Sequence, residues 1–385
     1  MASGSLHTYR PSVYFDLWVW IDLAKAANGR PTSQANAEML AAFIRAGDAG
    51  VAFPLSAAHY VEITEKIKNP RQRQQVAEVM ATVSHCRTLA SRRTLLRQQL
   101  LLAMHEHLGR PRFRPEARDA LAVGVHWAFT EHVQMLRLAG PDGMAESVKA
   151  FLKTDQLRRM NQWTELSILA GPRDEDVERL RSHYGYRPEA TVGSSASRLE
   201  FEQIYERILD DDPISRAELR FRVQLRELIH EHAELFGAVL RDHGMSLDHL
   251  IFRGTTVLAR RTALAEFLDS MPSVRVAVDL KTGFFRDNRR PLDVNDLHDV
   301  DAMSFAVPYC HVAVPDKAVE DSLQRVDASG RFGTVITRRL EDVVELLPML
   351  ESKAMRLSDP SGWDQLGPGH GFHPISPADV FATAL

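Results

Sequence analysis

The sequence predicts an α/β layer fold with a parallel sheet, interrupted by a long and mostly α-helical insertion. Three observations carry that expectation. Short apolar, β-favouring runs alternate with helical patterns near both ends of the chain. Two of those runs end on an aspartate that stands just before a helix. Between them, residues 91–271 read almost wholly as helix, with few β-branched runs.

The elements follow in order. Val13-Tyr14-Phe15 is β-favouring and ends at Asp16, ahead of a helical pattern over 17–27. A second helix is expected over 33–46, with Ser33 at its start. Residues 51–55 form a short apolar run that predicts a strand, and Ser56 then caps a helix carrying His59, Glu62 and Glu65 on one face. Pro70 opens a further helix to about His85. In the middle, helical patterns cover 91–108, 123–138, 145–157, 200–209, 214–235 and 255–268, with breaks at Gly-Pro and Arg-Pro pairs. After Pro272 the β character returns: 274–278 predicts a strand and 283–291 an arginine-rich loop. A helix over 295–307, a strand over 311–314, a helix over 317–326, a strand over 335–337 and a helix over 340–350 complete the order. The tail from 352 is rich in Gly, Pro and His.

Composition excludes several classes. The chain has 385 residues, 44% hydrophobic and 25% charged, enough apolar content for a large core. A formal net charge of −4 argues against a molecule that binds nucleic acid by its overall field, so any such site is local. Cys86 and Cys310, far apart, suggest no disulfide framework and a reducing cytoplasm as the natural setting. No run is long enough to cross a bilayer, and the first residues lack the apolar core of a secretory leader, so no membrane partner is expected.

The carboxylates carry the chemistry. Asp296 and Asp299 are three apart and share a helix face, whereas Asp301 falls on another. A solvated first turn, favoured by the helix dipole, accounts for such acids taken singly. The apolar run 302–307 behind them buries the helix, and the next strand delivers Asp316 at its end. Asp16 stands the same way after the first strand, where an N-cap role alone would also explain it. Together with Glu62, these acids make an all-oxygen set, which suits Mg2+ or Mn2+ rather than zinc.

The segments VYFDLWVWIDLAKAANG, VAFPLSAAHYVEITEK, NDLHDVDAMSFAVPYCHVAVPDKAVED and TVITRRLEDVVELL resemble the PIN-domain family of ribonucleases, common among toxin–antitoxin systems. The resemblance implies a three-layer α/β/α domain made of residues 11–88 and 273–351; it does not cover the helical middle, which reads as an insertion over 91–271, or the tail over 352–385. It also implies that Asp16, Glu62, Asp299 and Asp316 are the catalytic acids, with Asp296 as an auxiliary. They would hold one or two Mg2+ or Mn2+ ions that activate water for attack on an RNA phosphodiester. Arg286, Arg289 and Arg290 are the expected contacts to substrate phosphates. The insertion would form a cap or a surface for a protein partner, antitoxin-like or a second copy.

Three positions depart from the family pattern. Trp18 stands where Asn, Ser or Thr is usual, His311 where Asp is common, and Pro315 where Thr or Ser is usual. A PIN-like binding scaffold without catalysis is the alternative they suggest. Rival chemistries are thinner. An aspartyl phosphatase needs a second Asp two after the first, where Trp18 stands. The tripeptides at 105–107 and 230–232 place histidines two apart, which diverge on a helix and do not match a zinc-protease spacing. His370 and His373 in the tail lack the further ligands of a zinc site.

Overall fold

A computed structural model describes residues 5–30, 34–109, 113–115, 117–131, 155–211, 214–251, 256–286 and 291–356. Helix dominates the described chain, and its strands are two or three residues long. The first part of the chain gives β1 (Val13–Phe15), α1 (Leu17–Ala27), α2 (Gln34–Asp48), α3 (Ala57–Lys66), α4 (Pro70–Ser84), β2 (Arg87–Leu89), α5 (Arg92–His107) and β3 (Leu121–Val123). The middle contributes α6 (Asp155–Ala170), α7 (Asp174–Tyr184), α8 (Pro188–Asp211), α9 (Arg216–Arg226), α10 (Ala233–Asp242) and α11 (Val257–Asp269). The last part runs α12 (Pro272–Phe284), α13 (Val294–Tyr309), β4 (Val312–Val314), α14 (Lys317–Arg325), β5 (Val335–Ile336) and α15 (Leu340–Met355).

Several helix starts follow from local chemistry. Asn69 caps α4 by accepting from Arg71 N and Gln72 N, with Pro70 at the first helical position, where its missing N–H costs nothing. Ser56 and His59 form a reciprocal capping box at α3. Asp293 and Asp296 form another at α13.

The expected strand over 274–278 is a correction: Val274, Val276 and Val278 lie inside α12. Pro272 opens that helix, and these valines, at most 2% exposed, are buried in it. Their β-branched character marks burial here, not extended backbone. The expected strand over 51–55 shrinks to two isolated bridges at Ala52 and Leu55. The final helix reaches Met355, so the first residues of the expected tail are helical, and 357–385 lie outside the described residues. The expected helices over 123–138 and 145–157 fall mostly outside them too, with 123–129 divided between β3 and a short helix at Val125–Phe129.

The chain divides into two compact units. One comprises Thr8–Ser91, Arg118–Tyr186 and Arg339–Leu385. Its core is aromatic: Phe15, Trp20, Phe43 and Phe53 are fully buried, with Phe15 at 5.0 Å from Phe43 and 5.2 Å from Trp20 between ring centroids. Burying each such side chain contributes about 1.5–3 kcal/mol. Ser12 bridges Ala52 in parallel, and β2 pairs antiparallel with β3, Arg87 opposite Val123. Glu165 of α6 caps the short helix Val125–Phe129, its Oε2 accepting from Val125 N at 2.8 Å. Gly124 (φ +100) makes room for it, since a Cβ there would stand 2.7 Å from Glu165 Oε1. Burial pushes the Glu165 carboxyl up to about 7, against the pull of that hydrogen bond.

The other unit comprises Met1–His7, Arg92–Ala117 and Arg187–Arg338. Here α12 packs along α13, flanked by α9 and α14, and β4 pairs in parallel with β5, Val312 opposite Val335. The helices expected as one insertion over 91–271 are thus shared between the two units.

Candidate functional site

In the first-described unit, β1 delivers Asp16, which caps α1 by accepting from Leu17 N. His59 ties α3 to the end of that strand. Its Nδ1 accepts from Ser56 N at 3.0 Å, which leaves Nε2 to donate to Phe15 O at 2.8 Å. That arrangement requires a neutral ring. Burial drives the His59 pKa down to about 4, against the opposing pull of Glu62. Glu62, one turn along α3, is 3% exposed, and Lys66 Nζ donates to its Oε1 at 3.2 Å.

In the other unit, Asp316 repeats the construction of Asp16. It follows β4 and caps α14, its Oδ1 accepting from Val319 N at 2.8 Å. Asp296, 3% exposed, spends Oδ2 on Asp293 N at 2.9 Å within the capping box of α13. Asp299 lies about one turn further along α13 and is partly exposed. Of the departing residues, His311 packs against His7 with ring centroids 4.4 Å apart and the planes tilted by 37°.

Asp301 faces elsewhere, as its helix position predicts. Arg198 holds it bidentately at 2.9 and 3.1 Å, and Arg92 adds a second guanidinium. Burial alone would raise the Asp301 pKa, but the two arginines hold it down at about 2. Among the expected phosphate contacts, Arg286 is exposed just past α12, while Arg289 and Arg290 lie outside the described residues.

The donor chemistry of these acids suits a hard divalent cation. Among the described residues, however, no group of three or more His, Cys, Asp or Glu is arranged to hold a metal ion. Two carboxylates already serve as helix caps, and Asp296 serves a capping box. Comparison with known proteins adds nothing: no family model, no curated protein and no solved structure matches the chain.

A second cluster gave no signal in the sequence. Lys281 of α12, 5% exposed, lies 3.0 Å from Glu202, 2.6 Å from Glu227 and 3.7 Å from Glu231. The Glu227 contact is an ion pair whose angle falls outside that of a hydrogen bond. Burial alone would lower the Lys281 pKa, but the three glutamates hold it above its ordinary value. Glu227, pulled down by Lys281 and His232 against its own burial, stays ionised. A π-helical stretch, Glu227–Glu231, presents both of its acids to this lysine. The adjoining cavity is about 10 Å³, room for a single water. The cluster is a closed structural network with no space for a substrate.

Proposed function

We propose that the chain is a PIN-like endoribonuclease that hydrolyses RNA phosphodiester bonds, with Asp16, Glu62, Asp299 and Asp316 as its acids and Asp296 beside them. The observation that carries the reading is a repeated local unit: a short strand, an aspartate at its C-terminal end, and a helix capped by that aspartate. It occurs at Asp16 and again at Asp316. Strand C-termini are where α/β sheets build their sites. Glu62 and Asp296 add carboxylates that are each 3% exposed, Glu62 beside Lys66 at 3.2 Å and Asp296 within its capping box. Mg2+ or Mn2+ is the cofactor expected from this donor chemistry. The three-layer α/β/α arrangement, a protein partner for the helical regions and a cytoplasmic setting belong to the same proposal.

A second reading, a PIN-like RNA- or protein-binding scaffold without catalysis, is favoured by two observations. No three-donor group is formed among the described residues, and Trp18, His311 and Pro315 depart from the family pattern. Incubating the purified chain with end-labelled single-stranded RNA and Mn2+ separates the two. Cleavage that requires Mn2+ and disappears in both Asp16→Asn and Asp316→Asn supports the nuclease. RNA binding without cleavage selects an RNA-binding scaffold, and the absence of both ends the nuclease reading and leaves only a scaffold for protein.

A further inference from the structure

Three helices of one unit enclose a cleft of about 490 Å³, within the range of small-molecule sites. Arg216 and Arg220 reach it from α9, Thr282 and the following Arg286 from α12, and Ser322 and Arg325 from α14. Among the described residues, only part of this positive charge is paired. Asp279, the acid among the described lining residues, is paired with both Arg220 at 3.2 Å and Arg331 at 2.8 Å. Arg216, Arg286 and Arg325 have no acidic partner among the described residues, and all three are exposed at the cleft.

An independent observation points to a ligand. Thr282, which lines the cleft, is 5% exposed, yet its Oγ1 has no hydrogen-bond partner among the described residues. A buried hydroxyl left unmade is costly, and an acceptor entering the cleft would satisfy it. Arg275 Nε, on the same helix as Thr282, is also buried with no hydrogen-bond partner among the described residues. Burial and the neighbouring Arg331 lower the Arg275 pKa, a sign of crowded positive charge.

We propose that this cleft binds a small compound carrying two or more linked phosphates, with Arg216, Arg286 and Arg325 neutralising its charge and Thr282 donating a hydrogen bond to a phosphate oxygen. Guanidinium groups converging from separate helices match the several oxygens of an oligophosphate. No aromatic side chain lines the cleft among the described residues, so it offers no platform for stacking the bases of a nucleic-acid strand. The proposal does not rest on the nuclease reading.

The test is calorimetric titration of the full chain with inorganic triphosphate, orthophosphate and a nucleoside triphosphate at low salt. Saturable binding of inorganic triphosphate at one site, tighter than orthophosphate, is expected. It should weaken at least about tenfold in R216E/R325E, and to a similar degree in Thr282→Val. The nucleoside triphosphate identifies the source: a gain over triphosphate points to a nucleotide, and equality to the bare phosphate chain. Unchanged thermal unfolding of the variants shows that they fold. Absent triphosphate binding, or binding equally tight to folded R216E/R325E, overturns the proposal. So does single-stranded RNA binding that these substitutions weaken while triphosphate stays unbound.

Discussion

Replacing Lys281 with Met should destabilise its unit by about 3–5 kcal/mol, the usual cost of removing one partner from a buried ion pair. The size follows from what each glutamate keeps. Glu202 retains Arg226 at 2.7 Å, and Glu231 retains Arg198 at 3.0 Å. Among the described residues, Glu227 is left only His232 at 3.5 Å, which carries charge only when protonated. The loss therefore centres on one carboxylate whose side chain is 3% exposed. Met replaces the lysine stem with little change in volume, so cavity formation adds little. The double variant K281M/E227Q removes the stranded charge and should recover most of the loss, a coupling that a double-mutant cycle measures directly. All five tryptophans of the sequence, Trp18, Trp20, Trp127, Trp163 and Trp363, fall in the other unit, so fluorescence is the wrong probe. Amide hydrogen exchange along α12 reports the correct one. A loss below about 1 kcal/mol in K281M, or no recovery in the double variant, would refute the reasoning, because the lysine would then behave as a solvated surface charge.

Other expectations follow from the same structure. Glu165, raised from 4.5 to about 7, favours folding when protonated, so its effect is fully present below about pH 4.5 and lost as pH rises through 7. Glu165→Gln should remove that slope and stabilise the chain by about 2–3 kcal/mol at alkaline pH, read from unfolding midpoints across pH. His59 acts in the opposite sense. Held neutral with its pKa lowered from 6.5 to about 4, it contributes stability that is present above about pH 6.5 and lost as pH falls toward 4. His59→Gln should flatten that acid limb, worth about 3 kcal/mol, and NMR titration of the ring should find no protonation near neutrality. Asp301→Asn should cost about 2–3 kcal/mol by freeing Arg92 and Arg198, with no effect on Mn2+ dependence in an RNA cleavage assay.

Local chemistry was legible in the sequence where cause and effect lie within a few residues. Phe15-Asp16 as a strand end, Ser56 and Pro70 as helix starts, and Val312–Val314 followed by an aspartate cap all depend on neighbours in the chain. The divergence of Asp301 from Asp296 and Asp299 was equally local, a matter of helical period. Residues 274–278 were misread because valines at alternate positions suit either a half-buried strand or a helix buried on most sides. Pro272, at the first helical position, was the cue that separates them. Long-range charge pairing left no trace. Arg198 meets Asp301 across a separation of 103 residues, and Lys281 meets Glu202 across 79. No periodicity encodes such partners. The cleft was not read from the sequence beyond Arg286: its meeting with Arg216, Arg220 and Arg325 depends on packing alone.

The most direct measurement of the central claim is Mn2+ binding followed by electron paramagnetic resonance, in which the free-ion signal falls as sites fill. The nuclease account predicts saturable uptake by the unmodified chain and its loss in both Asp16→Asn and Asp316→Asn. A free-ion signal undiminished by the unmodified chain would contradict it.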